Sequence, residues 1–383
     1  MDRQARIVRR LADIAPADFD ALRGDDDPFT SHVFLDGLER HGCLQALHGW
    51  TPHHVTLWEG SRLIGVAPTY LKGNSHGEFV FDWRWAEAYE RHGLPYYPKL
   101  LTAVPYTPVG GARLLAGTGA DASERRRMLV AALRGVCSQH GLSSAHLNFG
   151  GDAEAAAVDD AWLPRFDWQF HWRNRGYRDF ADFLDALQGK KRRNIQQERQ
   201  RVARAGIGFR LVHGDAMSDA DWTLVHDLYR RTFESKFNHP ALTETFFRHL
   251  GARLGRGVLA VIAERRGAPV AAALLLRSSD RLYGRYWGCL EEVPGLHFET
   301  CYYQGIDYAI AEGLDVFEPG AQGEHKVARG FTPIMTRSWH HIAHPDFRRA
   351  VARALEGERD WLNGYRDEME RHTPYRRDAF PAA

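Results

Sequence analysis

The sequence predicts an α/β protein with mixed sheets, built from two copies of one folding unit. Two observations lead to this prediction. The order of elements in the first half, namely hairpin, strand, helix and strand, recurs in the second half. A strongly basic helix separates the halves, with glycine at each of its ends, Gly189 and Gly206. A repeat of this length implies that a whole α/β domain was duplicated.

The first half reads as helices followed by a hairpin. Residues 16–20 and the run from Phe29 to His41 predict helices, since the apolar residues of the second run recur at helical spacing. Residues 52–60 and 63–71 predict a β-hairpin, with the turn at Gly60-Ser61-Arg62. A strand over 100–109, a glycine-rich loop, a helix over 123–140 and a strand over 142–149 complete this copy.

The second half repeats this order. After a strand at 207–212 and helices at 221–237 and 240–254, the predicted hairpin, strand, helix and strand have counterparts in the first half. The paired segments are 55–59 with 258–264, 63–71 with 270–277, 101–109 with 281–289, 123–140 with 297–312 and 142–149 with 314–318. We therefore place a first domain at 1–180, a connecting helix at 181–206, a second domain at 207–350 and a helical tail at 351–383.

Residues 73–100 are the main addition in the first copy. Aromatic residues alternate with charges here, which suits a pocket wall that excludes water and still offers polar groups. Asp82, Trp83 and Trp85 are candidates for an acceptor pocket, where the carboxylate would hold an amine. The alternative is a peripheral hairpin whose charges reach into solvent.

Composition excludes several classes of protein. The 383 residues carry a net charge of +1, so no global field favours nucleic acid, and we expect no DNA partner. The four cysteines form no C-x-x-C pair, and no metal site is expected. Without a signal peptide or an apolar run of spanning length, we expect a cytoplasmic protein with no membrane span.

Several motifs resemble one family. Residues 193–195 and 205–209 resemble the junction before the second domain of the Fem-type (FemAB-like) acyltransferases, and the spacing Lys326-x-x-x-Gly330-Phe331 resembles the end of that domain. Four further stretches are similar to a bacterial subgroup of predicted N-acyltransferases related to FemAB, namely 77–83, 283–288, 297–305 and 318–326. The resemblance implies tandem GNAT-like (acyl-CoA N-acyltransferase) domains and an N-acyltransferase activity.

The resemblance also implies two candidate donors, and neither is expected to be tightly bound. The loop with Arg113, Gly117, Gly119 and Ala120 approximates the GNAT pyrophosphate motif for an acyl-coenzyme A, although Arg113 stands four residues before Gly117 instead of three. Fem-type enzymes also use aminoacyl-tRNA, and the basic run Lys190–Arg204 would then contact its phosphates. The simpler interpretation of that run is a solvated helix face.

The chemistry of acyl transfer points to a loop after the last strand of the second copy. The reaction needs a base for the ammonium proton and donors for the oxyanion. Glu324, His325 and Lys326 supply a carboxylate, an imidazole and an ammonium group on a glycine-flanked loop, and we interpret them as catalytic. Nearby candidates for substrate binding are Glu299, Tyr303 and Gln304, of which the first two share one helix face.

The sequence thus predicts an N-acyltransferase that moves an acyl or aminoacyl group to an amine of a small molecule or peptide, by general-base catalysis in a cleft between the two domains. The alternative is a catalytically inactive GNAT-like protein that binds a small molecule or peptide.

Overall fold

The computed structural model describes residues 3–321, 323–376 and 379. They form two compact units. Unit 1 contains the residues up to Asp167 together with Met335–Gly364, and unit 2 contains Trp168–Ile334 together with the residues from Tyr365 onward. Among the described residues, no helix combines the length and the apolar character needed to cross a membrane.

The strands are numbered in chain order. They are β1 (Arg3–Val8), β2 (Trp50–Pro52), β3 (His54–Glu59), β4 (Arg62–Ala67), β5 (Thr69–Lys72), β6 (Lys99–Thr102), β7 (Ser144–Leu147), β8 (Leu163–Arg173), β9 (Ile207–His213), β10 (Val258–Arg265), β11 (Ala268–Arg277), β12 (Arg281–Cys289), β13 (Val316–Glu318) and β14 (Thr332–Ile342).

The helices are numbered likewise. They are α1 (Pro16–Asp20), α2 (His32–Arg40), α3 (Trp83–Arg91), α4 (Ala122–Gln139), α5 (Asp152–Ala155), α6 (Phe180–Asp185), α7 (Gly189–Arg204), α8 (Asp219–Glu234), α9 (Glu244–Leu254), α10 (Leu296–Phe298), α11 (Gln304–Ala311) and α12 (Pro345–Arg371). A π-helical turn, Glu299–Tyr303, joins α10 to α11, and a 3₁₀ helix covers Glu324–Arg329.

The two units share one strand order. In unit 1, β1, β3 and β4 are antiparallel, β5 and β6 are antiparallel, and β7 lies parallel to β6. In unit 2, β9 to β12 are antiparallel in sequence order, and β13 lies parallel to β12. A long helical segment precedes the parallel strand in each unit, so the predicted duplication of an α/β unit is confirmed.

Each unit is completed by a strand from a distant part of the chain. In unit 1, β14 pairs antiparallel with β7, where Trp339 lies opposite Leu147. In unit 2, β8 pairs antiparallel with β13, where Trp172 lies opposite Phe317. The part of β8 from Trp168 onward thus belongs to unit 2, although it follows the first copy in sequence, and the part of β14 from Met335 onward belongs to unit 1.

These exchanges explain where the structure differs from the predicted boundaries. Continuous domains ending at residues 180 and 350 cannot describe a chain that changes unit within β8 and again within β14. Helix α7 belongs to unit 2 and is not a separate connector, because Ile195 and Val202 are buried in the two cores of that unit.

Two further segments differ from the sequence prediction. The predicted strand 100–109 pairs only over Lys99–Thr102, since Pro105 and Pro108 downstream have no N–H group for a ladder. The segment 73–100 contains a helix, α3, whose Trp85 and Tyr89 are buried against Val351 and Leu355 of α12 within unit 1.

Candidate functional site

The candidate site in unit 2 is assembled where α7, the π-helical turn and the 3₁₀ helix 324–329 meet. Arg329 donates through Nη2 to Oε1 of Glu198 at 2.6 Å and through Nε to Oε2 at 3.3 Å. The hydroxyl of Tyr303 also donates to Glu198, and the Arg329 guanidinium carbon lies 3.4 Å from the centroid of the Phe298 ring. These contacts fix the 3₁₀ helix to the two helical segments beside it.

His325 lies on that fixed turn and is exposed. Its Nε2 is 2.9 Å from the hydroxyl of Tyr302, and its main-chain carbonyl accepts a hydrogen bond of 2.8 Å from Arg329. Partial burial, followed by the charges of Arg329 and Lys326, lowers the pKa of His325 below its usual value. The imidazole is therefore neutral near pH 7, as a general base must be.

Lys326 is buried and its ammonium binds two consecutive main-chain carbonyls of the loop after β13. Its Nζ donates to the carbonyls of Gly320 and Ala321 at 2.7 and 2.9 Å. Burial lowers the pKa of this ammonium to about 8. Lys326 thus holds the loop that leads from β13 into the 3₁₀ helix. The side chain of Glu324 lies outside the described residues.

The predicted substrate-binding residues of unit 2 lie close together, with Glu299 and Tyr303 buried and Gln304 half-buried. Oε1 of Glu299 accepts from Gln304 at 2.8 Å and from Arg199 at 3.1 Å. Oε2 of Glu299 is buried and has no hydrogen-bond partner among the described residues. Burial raises the pKa of this carboxyl. Glu299 is the first residue of the π-helical turn, a feature found often at functional sites.

An aromatic wall lies beside His325. The His297 ring contacts Trp287 at 5.3 Å between centroids and Tyr302 at 5.4 Å, and Phe298 stacks on Tyr302. Burial, followed by the charges of His325, Arg329, Lys326 and Lys236, lowers the pKa of His297 to about 4, so this ring stays neutral. The wall is mainly apolar and borders the exposed imidazole.

Unit 1 contains a second group of ionisable side chains, and it is almost wholly buried. Asp82 accepts from the Ser75 hydroxyl, the Tyr96 hydroxyl and the Lys99 ammonium, each at 2.5 Å. Lys99 also donates to Glu78 at 2.8 Å. Burial opposes ionisation of Asp82, but Lys99 with these hydrogen bonds lowers its pKa overall, whereas burial raises the pKa of Glu78 to about 7.

This buried group continues into two histidines. Nε2 of His146 lies 3.4 Å from the Tyr96 hydroxyl and 2.7 Å from the Ser144 hydroxyl, and its Nδ1 lies 2.7 Å from Nδ1 of His340. Of the predicted acceptor-pocket residues, Asp82 is thus internal and Trp85 is buried with its ring stacked on His146. Trp83 is 54% exposed and stacks on Phe81.

The predicted phosphate loop of unit 1 has an internal arginine. The Arg113 side chain is buried and donates to the carbonyls of Asn148, Ala112 and Val109. The main-chain N–H of Gly117 donates to the carbonyl of Leu22, and Gly119 and Ala120 are exposed ahead of α4. This geometry directs the guanidinium away from any ligand at the loop, because its donors face main-chain oxygens.

Sequence reasoning missed several residues of these groups. Glu198 and Arg199 lie in the basic run and were interpreted only as part of a charged surface. A signal was present, since one acidic residue, Glu198, interrupts the seven basic residues of Lys190–Arg204. His146 and His340 are 194 residues apart, and no local pattern links them. Within the described residues, no cluster of three or more His, Cys, Asp or Glu side chains is placed to bind a metal ion.

Comparison with known proteins identifies the fold and then the family. The crystal structure of FemX has a TM-score of 0.52 at 10% identity and covers 92% of this chain and 100% of its own. The C-terminal domain of a putative lysylphosphatidylglycerol synthetase from Agrobacterium fabrum has a TM-score of 0.52 at 10% identity, covering 88% and 94%. A tandem GNAT protein from the clavulanic acid biosynthesis pathway has a TM-score of 0.43 at 14% identity, covering 90% and 99%.

The strand order that recurs in both units and the likeness to FemX together show a duplicated GNAT-like α/β fold. The profile of the FemAB-like family, described as peptidoglycan biosynthesis/recognition, matches residues 10–377. The protein belongs to the FemAB-like family, as its motifs predicted. A search of curated proteins found no match.

Proposed function

We propose that this protein is an N-acyltransferase that moves an acyl or aminoacyl group onto an amine, with His325 of unit 2 as the general base. The observation that carries the proposal is an exposed, neutral imidazole held by Tyr302 on a turn that Arg329 and Glu198 fix in place. Membership of the FemAB-like family supports the same reaction class.

The geometry suits one proton path. When Nε2–H of His325 donates to the Tyr302 oxygen, Nδ1 accepts a proton from the acceptor ammonium. The neutral amine then attacks the ester carbonyl of the donor, a C–N bond forms and the C–O bond to the carrier breaks. The imidazolium gives its proton to the departing ribose oxygen, and the nitrogen releases its second proton to solvent as the amide forms. Lys326 supports this step by shaping the loop beside the imidazole.

The surface of α7 favours aminoacyl-tRNA as the donor. Four side chains on this helix are exposed and form no ion pair among the described residues, and spacings of 3, 8 and 3 residues place them on one face. They are Lys190, Arg193, Arg201 and Arg204. Such a cationic face suits a chain of phosphates. Acyl-coenzyme A is less favoured as the donor, because the guanidinium N–H groups of Arg113 donate to main-chain carbonyls and not toward a ligand.

The acceptor we propose is a peptide with a free side-chain amine, of the kind present in peptidoglycan precursors, because the family is described by peptidoglycan biosynthesis/recognition. A buried acceptor oxygen is available at Glu299 to receive a donor from such a substrate.

Transfer from tRNA charged with labelled amino acids to lysine-containing peptides tests the proposal. His325→Ala is expected to slow transfer about 100-fold or more, the usual contribution of a general base. His344→Gln, which changes an exposed histidine of unit 1, is the matched control. Full activity in His325→Ala would remove this residue from the mechanism.

A thermal-shift series with tRNA, coenzyme A and acetyl-coenzyme A tests the donor class, because a ligand of the native state raises the melting temperature. A shift with acetyl-coenzyme A alone would replace the proposed donor. No shift with any of the three would favour a non-catalytic binding protein.

A further inference from the structure

Phe237, just after α8 in unit 2, combines two unfavourable features. Its backbone has a φ of 55°, in the left-handed region that residues other than glycine rarely occupy. Its side chain is 97% exposed, although a phenyl ring gains most by burial. Neither feature helps the fold.

The hydrogen bonds around Phe237 define a Schellman cap. The N–H of Asn238 donates to the carbonyl of Phe233, and the N–H of Phe237 donates to that of Glu234, both at 3.0 Å. In this motif the left-handed residue is usually glycine. Five other helices of the described chain, one of them the 3₁₀ helix 324–329, end with the same pair of bonds, and each has glycine there: Gly42, Gly93, Gly141, Gly313 and Gly330. Phenylalanine at the sixth such position is an exception that needs a reason.

The position of the loop supplies a reason. Thr232, at the end of α8, donates to the main-chain carbonyl of Trp287 at 2.7 Å, so the loop starts beside the aromatic wall. The ammonium of Lys236 is close enough to His297, another member of that wall, to contribute to its lowered pKa. Phe237 is the next residue, at the tip of the loop, with its ring uncovered.

We propose that Phe237 is a specificity-determining residue, whose ring covers the apolar side chain of the transferred aminoacyl group when that group lies along the wall formed by Trp287, His297 and Phe298. This inference rests on the proposed aminoacyl transfer. The wall is aromatic, and a ring that closes over it selects bulky apolar groups over small ones by excluding their surface from water.

The charge of Lys236 further restricts which aminoacyl side chains the wall would accept. Lys236 is exposed beside the wall, and within the described residues it has no carboxylate partner. A cationic aminoacyl side chain would meet this ammonium and be disfavoured. The preferred group is therefore large and uncharged, with phenylalanyl or leucyl favoured over alanyl and lysyl.

The test uses hydrolysis-resistant donor mimics, in which phenylalanine, leucine, lysine or alanine is amide-linked to 3′-amino-3′-deoxyadenosine. Calorimetric titration of the full chain is expected to give at least tenfold tighter binding of the phenylalanyl mimic than of the alanyl mimic. Phe237→Gly is expected to reduce that ratio to about twofold or less. Its melting temperature should be unchanged or higher, because glycine relieves the left-handed conformation.

Arg266→Gly is the matched control, since Arg266 is also an exposed residue in left-handed conformation, with a φ of 53°, in the turn between β10 and β11. It should gain stability and keep the binding ratio. Equal binding of all mimics by the wild type, or an unchanged ratio in Phe237→Gly, overturns the inference while leaving aminoacyl transfer standing. No binding of any mimic, together with no transfer from charged tRNA, overturns both.

Discussion

Arg329 and Glu198 form a two-point ion pair that joins the end of the second copy to the basic helix α7. The distances are 2.6 Å and 3.3 Å, and the same guanidinium also binds the carbonyl of His325 and lies over Phe298. One planar group thus makes contacts that a lysine cannot reproduce together. The pair explains why residues more than 130 positions apart can build one site.

Arg329→Lys should therefore impair activity more than folding. Lysine keeps the charge but loses the fork to Glu198 and the contact over Phe298. We expect transfer to fall roughly tenfold or more, and stability to fall by about 1.5–3 kcal/mol, the range for a lost hydrogen bond to a charged group. Initial rates and urea unfolding measure the two effects. Arg10→Lys, in an exposed pair with Asp13, is the control, and equal behaviour of both variants would contradict the positioning role.

The acid side of the pH–rate profile should report His325. Burial and the neighbouring cations lower the pKa of His325 below its usual value, so the base is neutral at pH 7 and becomes inactive only as the pH falls below about 6.5. We expect kcat/KM to be level from pH 7 upward on this account and to decline toward pH 5. The residual rate of His325→Ala should lack this decline. If kcat/KM of His325→Ala declines at low pH just as in the wild type, another titrating group causes the decline.

Lys99 should be the most sensitive residue of the buried cluster in unit 1. Its ammonium is fully buried between Glu78 and Asp82, at 2.8 and 2.5 Å. Lys99→Met leaves both carboxylates without their cation, and breaking a buried pair costs about 3–5 kcal/mol. Chemical denaturation measures this loss.

The control for Lys99→Met is Arg178→Met. Arg178 is 82% exposed in its pair with Asp182, and such surface pairs contribute about 0–1 kcal/mol. Adding Glu78→Gln and Asp82→Asn to Lys99→Met should restore part of the stability, because neither side chain is then a buried carboxylate that has lost Lys99. A triple variant less stable than Lys99→Met would show that the cluster does not act as a charge-balanced unit.

The buried histidine pair of unit 1 should make stability depend on pH. Burial is the main cause that lowers the pKa of His146 to about 3 and that of His340 well below its usual value. The unfolded chain binds these protons near pH 6.5, so the contribution is complete above pH 6.5 and is lost as the pH falls toward 3. Each histidine adds a slope of about 1.4 kcal/mol per pH unit in this window.

Replacing one member of the pair tests this linkage. In His340→Phe, the slope of the unfolding free energy against pH between 6 and 4 should decrease by about 1.4 kcal/mol per pH unit, the contribution of one histidine. The matched change His92→Gln, at an exposed position of unit 1, should leave the slope as in the wild type. Identical slopes in all three proteins would mean that the pair is already protonated in the folded state.

The sequence predicted the repeated core well because its signals are local. Helix 123–140 and strand 207–212 lie within two residues of α4 and β9, since apolar spacing and glycine ends determine both. Strands β8 and β14 escaped prediction, because each contains several charged or polar aromatic residues and pairs with a strand more than 130 positions away in sequence. No local pattern encodes that exchange between units.

The candidate site was predictable only in part for a similar reason. The motif after β13 drew attention to His325 and Lys326, and helical spacing to Glu299 and Tyr303. Their partners on α7 were hidden, because a basic run gives no sign of which members face inward. The aromatic segment 73–100 was recognised as unusual, but the burial of Asp82 beneath it depends on Lys99, which lies on a strand of the sheet.

The exposed face of α7 should set the salt dependence of tRNA binding. A protein that neutralises phosphates releases counterions, so the logarithm of the binding constant falls linearly with the logarithm of salt concentration. Each of Arg193→Gln, Arg201→Gln and Arg204→Gln is expected to weaken binding of unfractionated tRNA and to reduce the slope by about 0.7–0.9 per lost contact. Filter binding between about 50 and 200 mM salt gives the slope.

Arg192→Gln is the control for these changes, because this residue of the same helix is already paired with Asp185 at 2.8 Å. Loss of a paired cation should change the slope less than loss of an unpaired one, although the net charge changes equally. If all four variants reduce the slope alike, the effect reflects overall charge and not the face at 193, 201 and 204. If none of the variants reduces the slope, the phosphates do not bind at this face, and acyl-coenzyme A becomes the favoured donor.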